Sequence, residues 1–575
     1  MAIDILAKFR DFIEMGPSTQ ETLKTFLINY YYIFLSILFI LLAAFLAASA
    51  RDILREAKKI SAKSWFILLL IFNLALIIRF FILSHHPQVF YDEVTFIETA
   101  ENYYRNGLNV QNHMGNYRNQ FLICSTGWPF LVSMIFRITG VNIMAAYYLS
   151  AMLSVLTTVL VFWTGTLMFK NENAGLWSAF IFCVYPVFLR LSTSSAMGTS
   201  SIFFVFLTLL AFILYFRTRS IPLLYFSFCS LAYTINIRQE AFIAILPLLI
   251  LFFLLFHPDL KSEFKKPHIY ICFLIAVIFA IPPASASYYG VSTGFYYFYE
   301  SPEAMQRHIW HNVQYNLTYW IANKIQPISI SLLALLGFFM FFKKDRRLSF
   351  FFMGWFVLLY IFYTINPSCD FSALITLDSW RNAFHLLVPV LLFAGVGIVV
   401  VLNYFRQNYP GMRLIIFVLI VISIIMIPIS SREFIEKKTV YARENLFIRH
   451  FSGKLPDNSR IIVDTGLKRN LNESYMSLFR YTSVVPGRYY EIYPSRKFSE
   501  RRLFRDLEKW SHKEKKTIFL YLAHIDNNDI NNRIGWYFDT FNLRMIGGFG
   551  ARRYRRSFII YEITGIKKLP SYMRD

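Results

Sequence analysis

Charge is scarce in this chain. Only 16% of the residues are Asp, Glu, Lys or Arg, while 56% are hydrophobic and the mean hydropathy is +0.44. A soluble globular protein carries about 25% charge, so an ordinary water-soluble globule is excluded. Cysteine is scarce too: five in 575 residues exclude a disulfide framework. Cys183, Cys229 and Cys272 lie in or beside apolar runs and read as small hydrophobes. Cys124 and Cys369 fall in loops on one expected side, and their pairing is left open. Acids are outnumbered, 35 against 58 basic residues, for a formal charge of +23. The excess sits in short loops and in the last third, as topology signals and a charged outer domain require, and does not imply a nucleic-acid partner. No internal repeat or low-complexity linker is present. The first 25 residues hold acids and no apolar core, so a cleavable signal peptide is not expected, and run 25–50 reads as a membrane helix.

Long apolar runs are what the chain has in quantity. They cover 26–48, 65–84, 143–169, 174–190, 200–216, 222–236, 240–256, 269–285, 328–342, 350–365, 383–402 and 413–429. The expectation is an α-helical polytopic membrane protein with about twelve spans. The basic stretches 51–63, 217–219, 261–266, 343–347 and 406–413 then fall on one side, the cytoplasm of a plasma or inner membrane. The opposite side receives loops 85–142, 286–327 and 366–382 and everything after residue 429. The tail changes character: β-like runs at 460–463, 517–522 and 557–563 alternate with charged, helix-compatible stretches such as 499–516. Three parts are expected: an N-terminal segment 1–64 with an extra span, a membrane domain 65–429, and an extracytoplasmic α/β domain 430–575.

The first outer loop holds Tyr91-Asp92-Glu93, about seven residues past the run 65–84. Adjacent carboxylates near a membrane surface are costly to desolvate. They suit a general base acting on a substrate that arrives dissolved in the membrane. They read equally as a solvated pair at the start of the helix that follows. Phe96, Ala100 and Tyr103, spaced at four and three, predict an amphipathic helix over 93–105 lying on the membrane surface, ended by Gly107. Trp128, opening a second helix, sits where an interfacial anchor belongs.

Further elements are Arg238-Gln239-Glu240 ahead of 241–247 and Trp380-Arg381-Asn382-Ala383-Phe384-His385 followed by Pro389. With the Asp-Glu pair after an early span and the aromatic-Pro helix closing the loop, this order resembles the GT-C membrane glycosyltransferases. It is most like the branch of protein O-mannosyltransferases and lipid A aminoarabinose transferases, over roughly residues 60–405. The resemblance implies a polyprenyl-phosphate sugar as donor and a lipid, glycan or protein outside the cytoplasm as acceptor. It implies Asp92 as general base, with Glu93 helping to position the acceptor. Attack on an anomeric carbon passes through an oxocarbenium-like state, and a carboxylate takes the nucleophile's proton. The leaving lipid phosphate needs cations rather than an acid. Arg381 is the first candidate to grip it, because guanidinium binds phosphate through two bonds, and Arg238 and His385 are the second. Glu240, Tyr91 and Tyr103 are candidates for acceptor or sugar contacts.

Plainer readings stand beside these. Arg238 is equally a snorkelling residue or a partner of Glu240. Arg381 also suits a surface pair with Asp378. His85-His86 reads as an interfacial pair before a metal site, and His308 and His311, at i, i+3 with Glu303 nearby, make only a weak case for metal binding. The tyrosines 288–299 read as an aromatic belt before a sugar platform. In one respect the chain departs from the branch, which often carries an acid before the helix matching 200–216. Here 192–201 reads Ser-Thr-Ser-Ser-Ala-Met-Gly-Thr-Ser-Ser. That puts a second acidic contact in doubt and leans the reading to no cofactor and a metal-independent reaction. Two competing functions are a transporter or flippase of a lipid-linked sugar and an inactive relative acting as a binding module. A transporter usually places ionisable groups inside discontinuous helices near the bilayer midplane, whereas the apolar runs here are nearly free of charge.

Overall fold

The computed structural model describes residues 17–85, 90–110, 125–238, 265–292, 302–319, 327–365, 384–436, 455–456, 459–464, 491–494, 507, 517–525, 535–551 and 556–567. Helices dominate as far as residue 436. They are α1 (Pro17–Ala57), α2 (Ala62–Ile77), α3 (Phe90–Asn106), α4 (Gly127–Thr139), α5 (Ile143–Phe169), α6 (Glu172–Val184), α7 (Pro186–Leu191), α8 (Gly198–Thr218), α9 (Ile221–Ile237), α10 (Pro267–Ser292), α11 (Pro302–Tyr319), α12 (Ile328–Phe342), α13 (Arg346–Ile365), α14 (Leu387–Asn408), α15 (Arg413–Ser430) and α16 (Arg432–Glu436). A π-turn, Ile78–Ile82, extends α2, and a 3-10 turn, Phe384–Leu386, leads into α14. Among the described residues eight helices are long and apolar enough to cross a membrane, and α4, α9 and α12 are shorter apolar helices. The expected helical, polytopic class is borne out. The expected run 240–256 lies outside the described residues.

One run differs from expectation: 174–190 is not a single helix. It breaks at Tyr185 because Pro186 has no N–H to donate, and the chain restarts as α7 with that proline in its first turn. The break leaves carbonyls at the end of α6 without helical partners. Arg79, fully buried in the π-turn, meets them. Its Nη1 donates to the Cys183 carbonyl at 3.0 Å and its Nη2 to that of Phe182 at 3.5 Å, while Nε donates to Ser154 Oγ at 2.7 Å. A cation at a helix C-terminus also opposes the helix dipole there.

Lipid tails are as apolar as Leu, so the helices associate by close packing rather than by exclusion from water. Small residues allow that approach. A Cβ built on Gly397 of α14 would lie 2.0 Å from the Leu333 carbonyl of α12, so any larger residue forces these helices apart. The buried centre comprises α5, α6, α8, α9 and α14, whereas α15 leaves Leu414, Ile415, Leu419, Ile422 and Ile429 exposed, as a lipid-facing helix does. At one end of the bundle Glu56 of α1 is bridged by Lys59 and by Arg217 of α8, which joins two of the basic stretches.

The tail folds as a five-stranded sheet, β1 (Ser459–Asp464), β2 (Glu491–Pro494), β3 (Thr517–Ile525), β4 (Phe541–Ala551) and β5 (Arg556–Ile566), with helix α17 (Gly535–Thr540) leading into β4. The strand order is β2-β1-β3-β5-β4. The β1 pairs are parallel and the β3–β5 and β4–β5 pairs antiparallel. Ile462, Leu520, Leu522 and Phe541 form its core with Tyr537 and Tyr561. The three runs read as strands are β1, β3 and β5; β2 and β4 are additions.

Candidate active site

The site is built from four remote stretches around the 192–201 segment: three bond to it directly, and the end of α9 joins them through Phe384. The first is α3, and its start at Phe90 puts Asp92 and Glu93 in its first turn. The Glu93 carboxylate is fully buried, and its Oε2 accepts from the backbone N–H and from the hydroxyl of Ser195, both at 2.9 Å. The second is α4. Trp128 is fully buried, and its indole N–H donates to the Ser195 carbonyl at 2.6 Å. Trp128 is therefore not the interfacial anchor expected from the sequence: its only polar atom is consumed inside the protein. Ahead of it, Gly127 lies so near the end of α9 that a Cβ would sit 2.8 Å from the Asn236 carbonyl. Tyr233 and Ser125 lock the same junction, through the Gly127 carbonyl at 3.0 Å and the Ile235 carbonyl at 3.3 Å.

The third stretch is the end of α9, where Arg238 is buried and stacks its guanidinium over the Phe384 ring at 5.3 Å. The fourth is the turn ahead of α14. Buried His385 adjoins Phe384; its Nε2 meets Ser201 Oγ at 2.9 Å and its Nδ1 meets the Tyr363 hydroxyl at 3.1 Å. The His385 carbonyl accepts from the Trp355 indole at 3.1 Å. One hydroxyl-rich segment thus holds a carboxylate at its Ser195 end and an imidazole at its Ser201 end. Two of the three candidate cations, Arg238 and His385, flank one phenyl ring.

The helix over 93–105 is present as α3, and Gly107 follows it with φ +68°. It does not lie on a membrane surface. Phe96, Ala100 and Tyr103 are buried, but so are Thr95, Glu98, Thr99, Glu101 and Asn102 on the other sides, so the helix is wrapped by protein. Tyr103 donates to Thr126 Oγ1 at 2.7 Å and packs on Tyr32 of α1. Burial pushes its phenol well above the ordinary range, which keeps it a neutral donor tying α3 to its neighbours. His85 is buried against Phe80 and Tyr148 rather than interfacial. The side chains of Tyr91 and Asp92, and Glu240 and Arg381 altogether, lie outside the described residues, as do Cys124, Cys369 and Asp378. Among the described residues no group of three His, Cys, Asp or Glu gathers as a metal site. Ser195, Ser201 and Tyr363 were not singled out by sequence reasoning; the only signal was the absence of a carboxylate from 192–201.

Residues 126–285 match the profile of the dolichyl-phosphate-mannose-protein mannosyltransferase family. Among solved structures, the chain is similar to ArnT from Cupriavidus metallidurans bound to undecaprenyl phosphate, with 12% identity and TM-score 0.52 over 87% of this chain and 98% of that one. It is similar also to the Archaeoglobus fulgidus oligosaccharyltransferase tethered to an acceptor peptide, with 10% identity and TM-score 0.51 over 84% and 73% of the two chains. No curated protein sequence matches. At these identities the structural likeness speaks for the fold, and the fold is that of the GT-C membrane glycosyltransferases with a C-terminal domain containing a sheet. The resemblance drawn from the motifs is borne out at the level of the fold, and the profile match over 126–285 agrees with it.

Proposed function

We propose that this protein moves a sugar from a polyprenyl-phosphate donor, with inversion, to a lipid, glycan or protein acceptor outside the cytoplasm. The observation that carries the reading is that Glu93 and His385, from stretches more than 100 residues apart in the chain, both bond to the segment 192–201, while Arg238 stacks on Phe384 beside His385. Acid and cation at one end of a membrane bundle are the two things that attack on a lipid-phosphate sugar requires. The undecaprenyl phosphate named for the similar ArnT structure supports the donor class.

In this reading the acceptor nucleophile forms a bond to the anomeric carbon as the bond from that carbon to the phosphate oxygen breaks. The nucleophile's proton passes to the Asp92 carboxylate, and the departing charge stays on the lipid phosphate. Glu93 belongs to the same helical turn and, held by Ser195, fixes that turn rather than taking the proton itself. Arg238, His385 and Arg381 supply positive charge for the phosphate. Arg238 arrives flattened on Phe384, and a cationic imidazole at His385 would donate to both Ser201 and Tyr363. We read the reaction as metal-independent: a hydroxyl run fills 192–201, where the resembled branch often carries a further acid, and Glu93 Oε2 takes two bonds from Ser195. EDTA should leave the transfer rate unchanged, and a loss restored by a divalent ion would overturn that part.

The transporter reading would draw on Arg79, a charge inside a membrane-spanning segment. Its three bonds are to fixed oxygens of α5 and α6, so it closes a helix break and does not follow a moving substrate. The decisive test is Asp92→Asn in reconstituted protein supplied with radiolabelled polyprenyl-phosphate sugar. Transfer should fall at least a thousandfold while insertion and folding persist, and undiminished transfer would sink the assignment.

A further inference from the structure

The Ser192–Ser201 stretch is conspicuous for what it does with its hydroxyls. Most turn back onto the local backbone: Ser192 Oγ to the Leu189 carbonyl, Thr193 Oγ1 to that of Arg190, Ser194 Oγ to that of Leu191 and Ser200 Oγ to that of Met197. Ser195 is different. Its N–H and its O–H point to the same oxygen of Glu93, and its carbonyl receives the Trp128 indole. One fully buried residue therefore joins α3 and α4 through all three of its polar groups.

A short turn closed by local bonds is well suited to this task. The self-bonded hydroxyls keep 192–194 in a fixed shape, so the Ser195 N–H and O–H stay convergent on one point and preorganised for an anion. Glu93 is fully buried, and a buried carboxylate holds its position only while its donors do. Asp92 is its neighbour in the first turn of α3, so whatever sets the Glu93 carboxylate sets the helical phase of that turn. We propose that Ser195 is a positioning residue of the transfer reaction, a neutral cradle that locks Glu93 and with it the turn bearing the general base. The proposal rests on the functional reading above for the word reaction, and on geometry alone for the cradle.

The test pairs two substitutions with two readouts in full-length protein reconstituted in lipid nanodiscs. Ser195→Ala deletes the hydroxyl and keeps the N–H, and Ser195→Thr keeps both. Ser195→Ala should lower kcat about tenfold with KM for the lipid donor within twofold, since all three polar groups of Ser195 are taken up by Glu93 and Trp128. Ser195→Thr should restore at least half of the lost rate. In parallel, backbone amide exchange across α3 should quicken in Ser195→Ala and not in Ser195→Thr. Combining Ser195→Ala with Glu93→Gln should cost no more than the worse single change, because both break one unit. Wild-type kcat in Ser195→Ala, an unchanged exchange rate across α3, or full additivity with Glu93→Gln would each overturn the proposal. If the unsubstituted protein transfers nothing from any polyprenyl-phosphate sugar, the functional reading falls by itself, and the exchange measurement still decides whether Ser195 holds α3.

Discussion

At the scale of single residues, the stacking of Arg238 on Phe384 is the most consequential cation contact described. A flat guanidinium lies against a ring while keeping its edge for an anion, which a lysine ammonium cannot do. Arg238→Lys keeps the charge and loses the plane, so KM for the lipid donor should rise about tenfold, roughly 1.4 kcal/mol of binding, with kcat within about threefold. Steady-state kinetics over a donor series would check it, and a fall in kcat at constant KM would assign Arg238 elsewhere. Arg238 and His385 were singled out in the sequence through the Arg238-Gln239-Glu240 and Trp380–His385 motifs, and the structure brings both beside Phe384. Ser195 and Ser201 were not singled out. A serine in a run of hydroxyls has no individual signature, and the partners of these two lie 102 and 184 residues away in the chain. Trp128 was misassigned for a related reason: composition shows an amphipathic ring at a helix start but not which way its N–H turns.

At the scale of elements, apolar length told most of the story, since a helix is the only way one open segment can satisfy its backbone in lipid. The break inside 174–190 was hidden because hydrophobicity continues on both sides of Pro186, and its repair comes from Arg79, more than 100 residues earlier. In the tail, β2 was too short at four residues, and β4 was disguised by Gly547 and Gly548, which sit beside its irregular register with β5. The helix crossing of α12 and α14 yields a direct prediction. Gly397→Ala puts a methyl 2.0 Å from the Leu333 carbonyl, so the pair must separate, at about 1–3 kcal/mol. Thermal unfolding in detergent should shift down by several degrees, and an unshifted midpoint would mean the crossing is looser than described. A second element-level device is Glu172 at the start of α6, which accepts from the Ser61 and Ser64 hydroxyls and the Ser61 N–H at the start of α2. Burial alone would raise its pKa, but those three donors outweigh it and hold the carboxyl below its ordinary value. A depressed carboxyl stabilises the fold above its unfolded pKa of about 4.5, and the contribution disappears as pH falls through the folded value.

At the scale of the whole molecule, sidedness reduces to one bit, because side-chain contacts fix which segments share an end of the bundle. The basic stretches 51–63 and 217–219 meet through Glu56 and Arg217, so they share a side. The tail begins at α16, where Arg190 of α7 donates to the Phe434 carbonyl at 3.0 Å and stacks over the Phe434 ring at 4.9 Å. Arg190 lies just before the segment that holds Glu93 and His385, so the tail starts beside the candidate site. If the basic stretches are cytoplasmic, as their charge favours, the site and the sheet domain both face outward. Met545, 58% exposed on the edge strand β4, gives a handle on that domain. In a background with Cys124 and Cys369 replaced by serine, the remaining Cys183, Cys229 and Cys272 are buried. Met545→Cys should then react with a membrane-impermeant maleimide in intact cells, while Arg55→Cys, exposed at the basic end, should react only after permeabilisation. The reverse pattern would put the candidate site in the cytoplasm, where an acceptor outside the cell could not reach it, and would overturn the extracytoplasmic reaction along with the topology.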